Sequence, residues 1–149
     1  MLLLLVAIQA VQVAILWLHD WVPIPPLNDV AAVRSADSRA SLIYVTIVQS
    51  APFTIGLVFT IIGLSDGVPD WLWYWLWISY ALLFRGELKA WWVPYLIGPE
   101  PERAARYRSM SGATHSFLPE RNGITPNTLH AVLHGCTAAT LSVLAFLTL

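Results

Sequence analysis

Apolar and polar positions alternate along this chain in long blocks. Residues 2–18, 42–64, 71–84 and 128–149 are apolar and nearly free of charge, and the third block carries on toward residue 97. A spanning helix needs about 20 such residues to cross roughly 30 Å of hydrocarbon with its backbone bonds satisfied internally. The pattern therefore predicts an all-α integral membrane protein, a four-transmembrane-helix bundle, with the first block short for the purpose. Inside the blocks, polar and small residues recur three or four apart. Gln9, Gln12, Leu16 and His19 share one stripe, and Thr46, Gln49, Phe53, Gly56, Thr60 and Gly63 a second. Trp73, Trp77, Tyr80, Phe84, Glu87 and Trp91 form a third, and His130, His134, Thr137 and Leu141 a fourth. Helices in lipid lack a hydrophobic drive toward one another, so small and polar residues mark the faces turned inward.

The connections carry their own signals. Pro23, Pro25 and Pro26 forbid helix after the first block, residues 28–33 read as a short surface helix, and Asp37 or Ser38 is placed to cap the second span. Pro52 lies inside that span, with Ser50, Thr54 or a neighbouring helix available to its freed carbonyl. Residues 67–70 are turn chemistry, with Asp70 positioned to cap the third span. Gly98, Pro99 and Pro101 stop the third block, and residues 102–110 read as a short cytoplasmic amphipathic helix between spans three and four. Pro126 and Asn127 open the fourth span. No repeat and no inverted duplication is visible, so residues 1–149 read as a single transmembrane domain.

Charge gives this arrangement a direction. Arg34 and Arg39 lie in the first connection, the other six basic residues lie between Arg85 and Arg121, and the middle connection carries only Asp66 and Asp70. Basic residues stay on the cytoplasmic side, which predicts a multi-pass cell-membrane (inner-membrane) protein with both termini outside the cytoplasm. Charged residues make up 11% of the chain, leaving no separate soluble catalytic domain. The first block lacks a basic leader and a small-residue cleavage site, so it reads as a retained helix. Cys136 is the single cysteine, which excludes internal disulfides and CxxC chemistry. No basic patch interleaved with aromatics suggests nucleic acid.

That topology gathers the chemistry at the cytoplasmic end. His19 and Asp20 close the first span, Glu87 lies deep in the third between Arg85 and Lys89, and His130 and His134 open the fourth, with His115 nearby. His130 and His134, one helical turn apart, have the spacing of a metal pair, and a divalent metal or haem is the cofactor they would take, with Glu87 and His19 or His115 completing the set. The pattern is not HExxH, and no nucleophile elbow, P-loop or GxGxxG is present. A carboxylate inside a membrane is costly and marks a functional site by default, which makes Glu87, His134 and His130 the candidate catalytic residues. Trp77, Tyr80, Gln49, Trp91 and Arg106 are the expected substrate-binding residues, and Arg103, Arg106 and Arg108 suit an anionic headgroup. Trp17, Trp21, Trp91 and Trp92 fit interfacial belts in a tryptophan-rich chain.

Three functions fit these residues. The first is a protein that binds or transports a small molecule or ion through a polar pocket at the cytoplasmic end. The second is a membrane-embedded enzyme acting on a lipid or apolar substrate through the His/Glu cluster. The third is a non-catalytic subunit of a membrane complex. The expected partners are membrane lipids and either a second copy, as a homodimer, or a larger membrane complex.

Overall fold

A computed structural model describes all 149 residues. The chain is helical throughout: α1 (Leu2–Leu18), α2 (Val30–Ala36), α3 (Arg39–Asp66), α4 (Asp70–Glu87), a π-helical turn (Leu88–Trp92), α5 (Val93–Ile97), α6 (Pro101–Ser111) and α7 (Thr128–Thr148). The one extended feature is an isolated bridge between Arg121 and Ile124. Two helices are long and apolar enough to cross a membrane: α3, with mean hydropathy 1.9, and α7, with 1.6. α1 is apolar but only 17 residues long. α4 is diluted by Trp71, Trp73, Tyr74, Trp75 and Trp77, whose rings are amphipathic rather than aliphatic.

The four long helices close a ring in which α1 touches α3 and α7, and α4 touches the same two. Neighbours in the ring run antiparallel, as short connections favour. Local chemistry sets the boundaries. Ser38 accepts from Ser41 N and Asn127 from His130 N, capping α3 and α7. Asp70 does not cap α4; it is the first helical residue, where its carboxylate favours the helix dipole, and Pro69 precedes it. Pro52 is accommodated within α3, but the Thr54 hydroxyl donates to Ser50 O and not to the carbonyl that Pro52 frees. Gly56 lets α4 approach closely, since a Cβ there would lie 2.9 Å from Leu76 Cδ2.

The interior divides along its length. At the end bearing the α3–α4 turn, Leu5, Leu72, Leu76 and Leu144 are fully buried. Toward the other end lie Gln9, Tyr80 and Thr140, then Gln12, Thr137 and Glu87, all buried. Of the expected inward stripes, that of α1 is buried through Leu16, and α3 buries Thr46, Phe53, Gly56, Thr60 and Gly63. Gln49 is exposed, and its neighbour Ser50 takes the interior place. In α4 the axis falls on Leu72, Leu76, Tyr80 and Glu87, so Trp73 and Trp77 flank the interior.

Candidate functional site

Unequal helix lengths create the site. α3 has 28 residues, roughly 42 Å at 1.5 Å per residue, and the helical run 70–97 matches it. α1 and α7 are shorter, so the long hairpin overhangs their ends. α2 and α6 pack against each other across that shelf. Beneath them is a cavity of about 570 Å³, reached by residues of α1, α2, α3, α4, α6 and α7.

Pro94 lies within the overhanging run. Proline has no N–H for Ala90 O, and the Tyr107 hydroxyl of α6 donates to that carbonyl instead. The π-helical turn directly follows Glu87 and brings two indoles to α7. Trp91 is sandwiched, stacked on Tyr107 at 4.5 Å and tilted against His130 at 4.5 Å. Both its faces are occupied, so it is a wall of the cavity and not a cation–π platform.

Trp92 donates its indole N–H to His134 Nδ1 at 3.1 Å. An indole nitrogen only donates, so His134 Nδ1 accepts and the ring proton sits on Nε2. His130 has the opposite tautomer. Asn127 Oδ1 already accepts from His130 N, and His130 Nδ1 lies 2.8 Å from the same oxygen, so Nδ1 carries the proton and Nε2 keeps a lone pair. The imidazoles stand 6.1 Å apart, and His19 is 5.9 Å from His130. No three His, Cys, Asp or Glu side chains converge as a metal-holding group. With its Nδ1 pair engaged and its Nε2 protonated, His134 offers a metal no free donor in this arrangement.

Glu87 forms part of the cavity floor and is 5% exposed. Its Oε1 accepts from the Thr137 hydroxyl at 2.7 Å, and Thr137 in turn accepts from Gln12 Nε2 at 2.7 Å. The amide can only donate from nitrogen, so the Thr137 hydroxyl donates onward, and Glu87 Oε1 at 2.7 Å is a nearer acceptor than the Leu133 carbonyl at 3.3 Å. Glu87 Oε2 has no partner. Gln9 and the Thr140 hydroxyl gather around the Tyr80 hydroxyl one layer further in, all three buried. Arg85 and Lys89 are exposed and make no ion pair with Glu87.

At the rim, Arg106 bonds both oxygens of Asp37 at 3.0 and 2.8 Å, joining α6 to the end of α2. His19 Nε2 lies 3.2 Å from Asp20 Oδ2, and His19 Nδ1 2.9 Å from Ile15 O. Burial holds the Asp20 carboxyl above its usual range; His19 opposes this and the Asp37 charge adds to it. Burial likewise raises Tyr107, against the pull of Arg103 and Arg106. Asn28 fastens the loop after α1, accepting from Ile24 N and donating to the His19 and Val22 carbonyls.

The cavity thus brings together Glu87, His130, His134, Trp91, Arg106 and, at its mouth, Gln49. Trp77 and Tyr80 do not line it. Trp77 donates to Thr148 Oγ1 near the other end of the bundle, and Tyr80 packs edge-on against Phe53 at 5.1 Å. His115 is exposed and paired with Thr128, and it does not line the cavity. Sequence reasoning read Asn127 only as opening the fourth span and passed over Asn28 and Tyr107; of the three, Tyr107 depends on the contact most distant in the chain, with Ala90. The Gln9/Gln12 spacing was the available signal for the bonds joining Gln12, Thr137 and Glu87. No protein-family model matches the chain, and neither does any curated protein or solved structure.

Proposed function

We propose that the chain is a four-span membrane protein whose cavity, open to the cytoplasm, binds a small molecule or ion for passage into or across the bilayer. The observation that carries this reading is the cavity itself, about 570 Å³ ending on the half-partnered Glu87 within an otherwise inverted protein. The inversion supports membrane insertion. Only 28% of the apolar window of α3 and 33% of that of α7 is buried, whereas the core helix of a soluble protein would be mostly covered. Large aliphatic and aromatic side chains face outward, including Ile43, Ile47, Ile61, Ile78 and Phe146, while Gln9, Gln12, Thr137 and Glu87 face inward. Every one of the 8 basic residues belongs to the cavity side of the long helices, and Asp66 and Asp70 to the other, a bias that supports an orientation with that side toward the cytoplasm.

Single cysteines test the arrangement. In a Cys136→Ala background, an impermeant maleimide added to intact cells is expected to label Ser65→Cys, and to label Ser111→Cys only in inverted vesicles. Labelling of residue 111 and not 65 in intact cells would overturn the orientation. Met110→Cys, on the cavity wall, should be labelled from the same side as residue 111.

A further inference from the structure

Resting on that reading of the cavity, we propose that Glu87 is the counter-ion for an organic monocation with an apolar body, bound in exchange for the carboxyl proton. The chemistry follows from what surrounds the carboxyl. Oε1 is held by Thr137, while Oε2 is buried without a donor. No basic side chain pairs with Glu87, and an isolated carboxylate in such a place is costly. The empty site therefore holds the neutral acid. A cation that seats against Oε2 makes the anion affordable. The Oε2–H bond breaks, its electron pair stays on the carboxylate, and the proton leaves through the cavity to water. Net charge inside the bundle is unchanged.

The walls select the kind of cation. Beside the neutral Glu87, Asp20, Asp29 and Asp37 reach the cavity against Arg106 alone among the fixed bases, and Arg106 is committed to Asp37. That balance draws in positive charge. A bare metal ion finds no converging ligand set, and His134 presents a proton. Leu42, Val45, Leu82, Leu83, Leu129 and Leu133 supply apolar wall instead, and the volume far exceeds that of an ion. An amine or quaternary cation with hydrocarbon attached satisfies both the floor and the walls.

Other titratable groups near the carboxyl must be separated from it. His130, His134 and Cys136 approach from α7, His19 and Asp20 from the end of α1, and Asp29 and Asp37 from the two ends of α2. Tyr107 and Arg106 approach from α6, and α3 brings none. On its own helix, Tyr80 is one layer inward, while Arg85 and Lys89 are exposed. Only the Glu87 exchange predicts a proton count that vanishes with an amide at position 87.

Tetraphenylphosphonium, which has no exchangeable proton, is the probe, added to the purified full-length chain in nonionic detergent. At a pH acidic enough to keep the carboxyl protonated before binding, a pH indicator in weakly buffered solution should report one proton released per cation bound. Affinity should fall by up to about tenfold for each unit of acidification, as one proton competes with one cation. Glu87→Gln should abolish the release and weaken binding at least tenfold, and Glu87→Asp should restore the release. Binding without proton release, undiminished binding by Glu87→Gln, or no binding by the unaltered chain would each overturn the exchange. Proton counting on the unaltered chain decides the matter even where a variant fails to fold. Labelling at positions 65 and 111 separates the two readings. The expected pattern with no exchange removes the cation and leaves the membrane cavity, whereas reversed labelling overturns the cytoplasmic opening and leaves the exchange to the proton count.

Discussion

The two halves of the bundle are built on opposite principles. At the turn end, Leu5, Leu72, Leu76 and Leu144 interlock with no polar atom among their side chains. At the cavity end, the same four helices meet through Gln12, Thr137, Glu87 and His134. If the bundle lies in lipid as proposed, leucines gain little from leaving their surroundings, and the dry half is held by shape and dispersion. The polar half is held by directed bonds, and they are incomplete at the cavity floor: Glu87 Oε2 lacks a partner. A half built only for stability would not leave that oxygen buried unsatisfied. The dry half is best understood as the clamp and the polar half as the working part.

The sharpest way to break this contrast is to loosen the clamp. Leu76 is fully buried and lies against the face of Gly56. Leu76→Ala should lower unfolding free energy in mixed micelles by about 2–4 kcal/mol, because the bundle cannot fully collapse around the void. Proton release on cation binding should persist in the fraction that stays folded. Thr137→Val comes next. It preserves volume but leaves the Gln12 amide and Glu87 Oε1 without the hydroxyl that joins them. About 1–3 kcal/mol per buried group left unpaired is the expected loss, together with altered cation binding. If Thr137→Val changes stability and leaves binding untouched, the polar half is structural and the division of labour fails.

The helices and the inward stripes were legible in the sequence because a repeat of 3.6 residues fixes which side chains share a face. Gln9, Gln12 and Leu16 show this most clearly. Where a stripe erred, it erred by one position: Ser50 replaced Gln49, and Leu72 and Leu76 replaced Trp73 and Trp77. A bulky indole can satisfy the flank of an interface, and sequence spacing does not distinguish flank from axis. The gathering of Glu87, His130 and His134 followed from topology. The tautomers did not, since they depend on Trp92 and Asn127, and Trp92 reaches His134 from 42 positions away in sequence. Nor did the shelf, because the matched lengths of α3 and the run 70–97 depend on a π-helical turn that no residue pattern announces.

Acid should sharpen the contrast through Asp20. Its carboxyl is raised by burial, so the folded chain binds this proton more readily than the unfolded chain does. The ionised form therefore opposes folding at neutral pH, and the penalty is relieved as pH falls through the raised native value toward 3.8. Asp20→Asn should be neutral or stabilising at pH 7, and its advantage over the unaltered chain should shrink in melting experiments between pH 7 and 4. A destabilised Asp20→Asn at pH 7 would instead make the contact with His19 the larger effect and place Asp20 among the clamping groups.

The smallest expected change in stability is at the rim. Arg106 and Asp37 make a two-pronged bond, but the Arg106 side chain is 56% exposed, so water and salt already compete for it. Arg106→Gln should cost no more than about 1 kcal/mol, and less at high ionic strength. Its consequence should appear in access, because this pair joins α6 to the end of α2 across the roof of the cavity. Maleimide should then react faster with Met110→Cys in the Arg106→Gln background, while Ser65→Cys at the turn end keeps its rate. Equal acceleration at both positions would mean that the bundle loosens as one body. A rate change confined to position 110 would show that the polar half opens against a dry half that stays shut.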